Sequence, residues 1–599
     1  MNSQQINPNS FFQKQIESYS TQLETIVKKI KTTSALRIAV FLLTVFGIYF
    51  TTTLNAWWVA GVGLTGLVVF MFLVIRHVGL FHQKHHLRKL LQINKNELLL
   101  LNLNTKNQYP GKEYLSVEHP YAADLDVFGE RSLFQLLNRS ATVEGRDKLA
   151  TGLLWPDLSD EIIRKRQKAI AELTKHPLWR QEFQALGIDE NTDRLHRLLQ
   201  WAQARNGEWN TLLYQILTII TPLLGVGIVL LISLNLLGFG TFLLFLLLPL
   251  TVLGLKYNAI NREYDRLGKK NKMLNIYASL FHKIEEKDFQ SEILKQARQI
   301  LVSDEDSASH AFVRLKSISK AFDYRLNFLM GLTLDIFFLW DIRQLMRLEK
   351  WKKAYGNKMS HWFESLAMID ELCSYAGFAF QHPEAILPEL SDDFQLRGKN
   401  LKHPFIATGQ CVGNPVNISA WKQFQIITGA NMAGKSTYLR TVGVNLLLAN
   451  CGAPVLADSL IFKPVQLFTG IKTNDSLQDG ESYFFAEIKR LHEIIVRLEK
   501  GEQLFIILDE ILRGTNSKDK QKGSKAFLQQ LIRFQSSGLV ATHDLALGSL
   551  ADDFPENIIN KRFEVEIKNN QLVFDYQLKD GISQNLNATF LMKKMGITI

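Results

Sequence analysis

Cysteine is scarce in this chain, with three residues among 599. Cys373, Cys411 and Cys451 lie far apart and have neither the spacing of a zinc site nor that of a disulfide framework. This scarcity excludes a small disulfide-stabilised secreted fold and fits a reducing compartment. The chain also lacks internal repeats and low-complexity tracts, and its length predicts several domains.

Charged residues are missing from two long apolar runs. No Asp, Glu, Lys or Arg occurs from Ile38 to Ile75 or from Trp209 to Leu255. A helix crosses a bilayer with ~20 residues, and each run is long enough to cross twice. Each also has a polar or glycine-containing break near its middle, at 51–55 and 235–238. The pattern predicts two transmembrane helical hairpins, or four spans; buried core helices are the alternative.

Basic residues flank both runs on their outer sides. These residues are Lys28, Lys29, Lys31, Arg37, Arg76, Lys84, Arg88, Lys89, Arg205, Lys256 and Arg262. Because cytoplasmic flanks carry an excess of Lys and Arg, we predict a multi-pass protein of the inner, cytoplasmic membrane with its termini and large soluble regions in the cytoplasm. A third apolar stretch, Phe328 to Trp340, is shorter and contains Asp335, so we predict a buried helix there.

The secondary-structure pattern changes near residue 398. Helical periodicity dominates before this point and includes residues 85–103 and 124–154. Short β-rich runs then alternate with helical patterns, which predicts an α/β domain with a mainly parallel sheet. The last two runs flank Lys568 to Gln571, as in a hairpin. The runs are Phe424–Ile427, Val465–Ile471, Leu504–Leu508, Gly538–Ala541, Phe563–Ile567 and Leu572–Tyr576.

One segment matches the pattern G-x-x-x-x-G-K-[ST] in full. The candidate nucleotide-binding residues are Gly429, Ala430, Asn431, Met432, Ala433, Gly434, Lys435, Ser436 and Thr437. Glycines let the backbone turn so that successive N–H groups point at phosphates, and the following helix N-terminus adds positive potential. Lys435 is expected to reach the β- and γ-phosphates, and Ser436 to bind Mg²⁺. The segment predicts an ATP hydrolase with ATP and Mg²⁺ as its ligands.

Two further strand ends carry candidate catalytic residues. An apolar run ends in Asp509 and Glu510, where the first acid would hold Mg²⁺ and the second would act on the attacking water. His543 follows another β-rich run and could contact the γ-phosphate. Surface acids at a strand end and a structural histidine are the alternatives. The P-loop favours the catalytic interpretation of the acids, so we predict Lys435 and Glu510 as catalytic residues, while both interpretations of His543 stay open at this point.

These motifs, in this order, resemble the ATPase domain of the MutS family of DNA mismatch-repair ATPases. Residues 428–437 read TGANMAGKST, residues 509–519 read DEILRGTNSKD, and residues 541–543 read ATH. Residues 473–487 resemble the family's stretch between the two Walker motifs. The resemblance implies an ABC-like P-loop ATPase domain.

The resemblance also implies roles for individual residues. Asn431 would help to position the phosphates, His543 would be the switch histidine and therefore a catalytic residue, and Asn516 would reach the γ-phosphate of a partner subunit. A homodimer with a shared ATP site is implied, and DNA is the implied partner.

Taken together, the resemblance covers residues 121–205 and about 260–597, and its weaker upstream part implies that an all-α, MutS-core-like lever domain precedes the ATPase domain. Two features depart from the family. Residues 1–34 lead straight into the first apolar run, which leaves no room for a mismatch-recognition domain, and the second run stands where the family has its DNA clamp. We therefore expect no mismatch recognition of the usual kind.

The predicted organisation combines these features along the chain. It consists of an N-terminal lead-in (1–34), a first transmembrane hairpin (35–76), the first half of a helical core (77–208), a second hairpin (209–256), the second half of the core with its levers (257–397) and a MutS-like P-loop ATPase domain (398–599).

Three functions are open at this point. The first is a membrane-anchored MutS-like ATPase that binds DNA through basic helices, for which solvated helix faces are the alternative. The second couples ATP hydrolysis to a lipid or membrane-protein partner without nucleic acid. The third, a scaffold that binds ATP without turnover, is disfavoured by the intact motifs. The basic candidates are Arg262, Arg266, Lys269, Lys270, Lys272, Arg347, Lys350, Lys352 and Lys353.

Overall fold

The chain divides into two compact units in a computed structural model. Unit 1 comprises Met1–Arg139, Lys148–Arg180 and Leu372–Ile599, and unit 2 comprises Ser140–Asp147 and Gln181–Glu371. The structure describes residues 7–53, 55–116, 118–187, 195–204, 209–267, 270–302, 306–407, 409–430, 432–471, 483–512, 516–568 and 571–583.

The structure describes nineteen α-helices, of which the first fifteen make up most of the described residues before residue 382. They are α1 (Pro8–Thr51), α2 (Ala56–Leu101), α3 (Leu133–Leu137), α4 (Val143–Leu154), α5 (Asp160–Thr174), α6 (Pro177–Gly187), α7 (Leu195–Gln203), α8 (Leu212–Ser233), α9 (Phe239–Leu267), α10 (Asn271–Glu285), α11 (Glu292–Leu301), α12 (Ala308–Phe322), α13 (Phe328–Phe338), α14 (Trp340–Tyr355), α15 (Met359–Gln381), α16 (Lys435–Asn450), α17 (Tyr483–Glu499), α18 (Ser517–Arg533) and α19 (Leu550–Asp553).

Strands occupy the C-terminal part of unit 1. They are β1 (Glu389–Leu390), β2 (Leu396–Leu401), β3 (Asn414–Ile418), β4 (Phe424–Gly429), β5 (Ser459–Phe462), β6 (Gln466–Gly470), β7 (Leu504–Asp509), β8 (Ser536–Thr542), β9 (Ile558–Lys568) and β10 (Gln571–Asp580). Two sheets result, in the orders β1-β5-β2-β3 and β10-β9-β4-β8-β7-β6. The smaller sheet was not predicted from the sequence.

The larger sheet confirms the prediction of a mainly parallel α/β domain. Strands β9, β4, β8, β7 and β6 run parallel, and β10 adds an antiparallel edge. Every residue of β4, β7 and β8 is buried, as expected for strands covered on both faces. The register pairs Thr428 with Thr542 and Asp509 with Ala541. The carboxyl ends of β4, β7 and β8 therefore meet at one edge of the sheet.

Both apolar runs form helical hairpins that turn at the breaks in the sequence. The α1–α2 connection lies between Thr51 and Ala56, and the turn between α8 and α9 contains Asn235 in the left-handed region. Helices α1 and α2 pack closely at Gly66, where an added Cβ would lie 2.2 Å from Thr44 Oγ1. Four helices, α1, α2, α8 and α9, are long and apolar enough to cross a membrane by length and composition. Most of their apolar side chains are exposed.

Two local predictions were wrong. Residues 124–132 are not helical but form turns, because Asp126 and Arg131 adopt positive φ angles of 51° and 55°. The predicted buried helix ends at Phe338, and Gly331 is the one buried residue in it. One side of this helix, α13, packs against α8 and α9, and its other apolar side chains are exposed.

In unit 2, Gly145 allows α4 to begin against α15. The fully buried Asp370 accepts hydrogen bonds from the backbone N–H groups of Ala141 and Thr142 at 2.8 Å, and from Thr142 Oγ1 at 2.7 Å. A Cβ on Gly145 would lie 2.1 Å from Asp370 Oδ2. The carboxylate thus holds the residues that precede α4, and only glycine leaves room for it.

In unit 1, a buried ion pair holds the far end of α2. Glu97 receives two hydrogen bonds from the Arg139 guanidinium, at 3.0 and 3.2 Å, and both side chains are buried. Gln381 Nε2 donates to the backbone carbonyl of Glu97 at 3.0 Å and also to its carboxylate. The backbone N–H of Arg139 donates to Ser374 Oγ at 3.1 Å. Helix α2, whose first half is apolar, is therefore fixed to the end of α15.

Candidate nucleotide site

The loop between β4 and α16 has the backbone of a phosphate-binding loop. Gly429 and Gly434 have φ angles of 150° and 107°, which side-chain-bearing residues rarely adopt. A Cβ on Gly429 would lie 2.6 Å from the carbonyl oxygen of Phe563. Helix α16 begins directly after the loop, so its N-terminal N–H groups and positive dipole end lie beside it. Met432, with a φ of 65°, lies on the loop's exposed side.

Lys435 is folded back into this loop. Its side chain is buried, with 5% relative exposure, and its Nζ donates to the carbonyl oxygens of Gly429 and Ala430 at 2.7 and 2.9 Å. A buried ammonium is costly unless polar atoms satisfy it. The loop carbonyls supply that solvation, and they hold the positive charge at the carboxyl edge of the sheet.

Ser436 and Asp509 meet although they come from different elements. Ser436 lies in the first turn of α16, and Asp509 is the last residue of β7. Ser436 Oγ donates to Asp509 Oδ2 at 2.5 Å. A hydroxyl and a single carboxylate suit Mg²⁺, which commonly takes one or two protein carboxylates and completes its shell with water and phosphate oxygens. These two residues fit a Mg²⁺ site.

Glu510 and His543 form the third contact at this edge. Glu510 has a φ of 53°, and its N–H donates to the carbonyl of Ala541 at 2.9 Å. This left-handed conformation is strained for a residue with a side chain, and such strain is typical of functional sites. His543 Nε2 lies 2.7 Å from Glu510 Oε1 and 3.3 Å from Lys435 Nζ. One ring nitrogen cannot donate and accept at once, so the shorter contact assigns its proton to the Glu510 bond.

A cavity of about 460 Å³ opens beside these residues. Gly434, Lys435, Ser436, Thr437 and Glu510 line one part of it. The other part is largely apolar and includes Ile406, Cys411, Val412, Phe563 and Tyr576. Volume and lining are those of a small-molecule site with a polar and an apolar end.

Tyr576 and Asn414 are site residues that sequence reasoning missed. Tyr576 lies in a bulge of β10 between Phe574 and Leu578, with a φ of 53°. Asn414 holds the bulge, because its amide donates to the carbonyl of Tyr576 at 2.9 Å and accepts from the N–H of Leu578 at 2.7 Å. A Cβ on Gly434 would lie 3.2 Å from the Tyr576 ring. The hairpin pattern predicted the strands, but no local signal marked the bulge.

A second and larger cavity lies nearby in unit 1. It measures about 850 Å³ and is lined by residues of α17 and by Asp124, Asp126, Arg490 and Asp509. Its walls are held together by Arg490, which donates to the carbonyls of His119 and Pro120 at 3.0 and 2.6 Å. We place the chemistry in the smaller cavity, because that one contains Lys435, Ser436 and Glu510.

The remaining predicted residues are placed as follows. Ala433 is a buried residue of the loop. Asn516 is exposed and caps α18, where its Oδ1 accepts from the N–H of Asp519 at 2.9 Å. Asn516 is not among the described residues that line the cavity of its own chain. Asn431 and most of the predicted stretch 473–487, up to residue 482, lie outside the described residues.

Known proteins match this part of the chain. The sequence model of a family described as MutS domain V covers residues 425–593. These residues include the loop, Asp509, Glu510, His543 and Tyr576. The C-terminal part of the chain is MutS-related.

Curated MutS proteins are similar to this chain over a limited length. "DNA mismatch repair protein MutS" of Thermotoga maritima is 32% identical over 238 residues, which are 39% of this chain and 29% of that protein. "MutS protein homolog 4" of Homo sapiens is 30% identical over 234 residues, which are 37% of this chain and 24% of that protein. The chain thus spans less than a third of the length of these MutS relatives.

Proposed function

We propose that this chain binds and hydrolyses ATP with Mg²⁺ at the loop of residues 429–437. One observation carries the proposal: the carboxyl edge of the sheet brings together Lys435, Ser436, Asp509, Glu510 and His543, which lie far apart in the sequence. The relationship to MutS proteins supports the same chemistry.

Each residue has a part that its contacts support. Lys435 binds the β- and γ-phosphates, whose oxygens replace the loop carbonyls that satisfy its ammonium. Ser436 and Asp509 would hold Mg²⁺, which would supply positive charge against the charge that develops on the phosphates. Glu510 accepts the proton of the attacking water. His543 orients the Glu510 carboxylate, because its Nε2 lies 2.7 Å from Oε1.

The apolar end of the cavity takes the adenine base in this proposal, with the Tyr576 ring as its main contact. Replacing Tyr576 by alanine is expected to raise the Kd for ATP about tenfold, since an aromatic stacking contact contributes ~0.5–1.5 kcal/mol beyond burial. Tyr576→Phe is the matched control and is expected to bind ATP as the parent protein does. Titration with a fluorescent ATP analogue measures both. An equal loss in Tyr576→Phe would contradict stacking.

The site is proposed to be completed by a second copy of the chain. Asn516 is exposed at the N-terminus of α18 and lies outside its own cavity. A homodimer would let the Asn516 side chain reach the γ-phosphate bound to the partner, as the resemblance implies. The exposed start of α18 supports this proposal.

Four helices anchor the protein in the inner, cytoplasmic membrane in this proposal. The length and apolar composition of α1, α2, α8 and α9 support it, and so do the basic residues at the outer ends of both hairpins. Excess positive charge on these flanks favours a cytoplasmic location for the termini and the ATPase domain.

DNA is the proposed partner, because the relatives' names refer to DNA mismatch repair. The basic clusters of unit 2 are weaker candidates than their sequence indicates. Lys352 is buried with its Nζ 4.4 Å from the centre of the Trp201 ring, and burial lowers the pKa of Lys352. Lys353 pairs with Glu349 at 3.6 Å. Lys269 lies outside the described residues. Arg262, Arg347 and Lys350 are exposed, and they are the residues we would test first.

The alternative is an ATPase that acts on a lipid or on a membrane protein without nucleic acid. The structure of α2 favours this second candidate. The same helix contains an apolar span and the buried Glu97, whose contacts with Arg139 and Gln381 link it to the end of α15. Movement in the ATPase domain could thereby reach the membrane.

One assay tests the proposal and separates the two partners. We expect the detergent-purified full chain to hydrolyse ATP above the rate of Lys435→Ala, which serves as the inactive control. Stimulation by duplex or branched DNA that weakens with salt would support the DNA partner. Stimulation by liposomes with indifference to DNA would support the alternative. A rate equal to that of Lys435→Ala without additions, with DNA and with liposomes would contradict the proposed ATPase function.

A further inference from the structure

Helix α13 exposes apolar side chains that a water-soluble surface does not ordinarily carry. Phe328 and Leu329 have 75% and 74% of their surface exposed, and Met330 and Leu332 are also exposed. The helix is apolar on nearly all sides, which is characteristic of a buried or membrane-inserted helix. Contiguous exposed apolar patches mark sites of interaction with protein or membrane.

The candidate membrane helices of unit 2 lie directly against α13. Phe337 of α13 contacts Phe242 and Phe245 of α9, with ring centres 6.2 and 6.3 Å apart. A Cβ on Gly225 of α8 would lie 2.9 Å from Phe337 Cδ1 and 2.9 Å from Phe245 Cζ. The three helices therefore meet at Gly225, and the apolar surface of α8 and α9 extends onto α13.

Polar contacts hold α13 to the neighbouring residues of unit 2. Before the helix, Arg325 donates to Asn261 at 2.7 Å and lies over the Tyr264 ring. After it, Leu339, with a φ of 46°, separates α13 from α14. The acid within α13 also faces the protein, because Asp335 Oδ1 accepts from the N–H of Asp341 at 2.9 Å. Helix α13 thus has an apolar outer side, and polar contacts attach it to the rest of unit 2.

A polar contact between Arg343 of α14 and the backbone of α8 lies near the start of α8. Pro222 has no N–H and therefore cannot donate to the carbonyl of Thr218 four residues earlier. Arg343 Nη2 donates to this carbonyl at 2.7 Å. A long cationic side chain near the start of a span suits the membrane interface. Tyr324 and Trp340, whose rings are 6.1 Å apart, add aromatic residues that favour the same interface.

We propose that α13 inserts into one leaflet of the bilayer beside α8 and α9 without crossing it. An 11-residue helix is ~16 Å long, about half of the ~30 Å hydrocarbon thickness. The inference rests on the proposed membrane anchoring and adds a third lipid-contacting element to unit 2. Lipid is the occupant because the apolar surface of α13 continues that of two candidate spans and because interfacial residues border it.

Site-directed fluorescence quenching tests this proposal in the full-length protein. Cys373 and Cys451 are buried, so Cys411→Ser provides a background with little thiol labelling. Single cysteines replace Leu329 in α13, the similarly exposed Leu223 in α8 and the exposed Lys350 in α14. Each carries a fluorophore in vesicles of phosphatidylcholine and phosphatidylglycerol, with or without spin-labelled acyl chains. Thermal unfolding in detergent verifies that each variant is folded.

The three positions give distinguishable outcomes. We expect about twofold quenching at Leu329 and Leu223 and none at Lys350, because only apolar insertion brings a probe near the acyl chains. Quenching at Leu223 without quenching at Leu329 would overturn the insertion of α13 and leave the anchor intact. No quenching at either leucine would overturn the anchoring itself. Energy transfer between labels at Leu329 of two protomers, without lipid quenching, would assign the surface to a second copy.

Discussion

Replacing Glu510 by glutamine is expected to lower the rate of ATP hydrolysis by about 10²- to 10⁴-fold, the usual contribution of a general base. The amide has nearly the shape of the carboxylate and can still accept a hydrogen bond from His543 Nε2, which lies 2.7 Å from Oε1 in the native chain. It cannot take a proton from water. We therefore expect ATP to bind with nearly unchanged affinity, since Lys435, Ser436 and Asp509 are untouched.

Steady-state phosphate release and an ATP-binding titration measure the two quantities separately. Glu556→Gln is the matched control, because Glu556 is an exposed acid that follows α19 and lies outside the residues lining the cavity. An unchanged hydrolysis rate in Glu510→Gln would show that Glu510 is not the base. A loss of ATP binding in this variant would instead assign Glu510 a structural part in the cavity.

His543 contacts both Glu510 and Lys435, so it is relevant to the Glu510→Gln prediction. Its Nε2 lies close to both Glu510 and Lys435, and bound phosphate would draw Lys435 away from the loop carbonyls. The imidazole would then remain with Glu510 alone. His543 thus connects Lys435, proposed to bind phosphate, with Glu510, proposed to act on water.

The sequence predicted those parts of the molecule that depend on short segments. A phosphate-binding loop of the predicted kind needs adjacent residues with particular conformations, and Gly429 and Gly434 adopt them. The strands that end at Asp509 and Thr542 are continuous apolar runs, as buried parallel strands must be. Both hairpins turn where polar or glycine residues interrupt the charge-free runs. In each case one local requirement determines the residue types.

Features that depend on distant partners escaped prediction. Tyr576 reaches the cavity because a bulge shifts the register of β10 and Asn414 binds it, and neither event is encoded near Tyr576. Lys352 looks like a solvated charge until the Trp201 ring covers it. Helix α13 looks like a core helix because composition cannot tell a protein neighbour from a lipid one. Burial is set by the tertiary fold, and periodicity alone does not supply it.

Replacing Glu97 by alanine is expected to lower the free energy of unfolding of unit 1 by ~3–5 kcal/mol, because it leaves the Arg139 guanidinium buried without its partner. The pair is bidentate at 3.0 and 3.2 Å, and Gln381 also donates to Glu97. Denaturant unfolding in detergent, followed by tryptophan fluorescence, measures the loss. Glu130→Ala removes the acid of an exposed pair with Lys112, and as a matched control it is expected to change the transition by no more than the experimental error.

A double substitution separates two roles of the Glu97–Arg139 pair. A replacement of both residues, Glu97→Met with Arg139→Met, removes the unpaired charge and is expected to recover much of the lost stability, because apolar side chains of similar size often replace a buried ion pair without cost. If the pair serves stability alone, this double variant will hydrolyse ATP and respond to liposomes as the parent does. If the pair also transmits movement along α2, the double variant will be stable and hydrolyse ATP but lose its response to liposomes. An unchanged unfolding transition in Glu97→Ala would contradict the burial of the pair and, with it, the attachment of α2 to the end of α15.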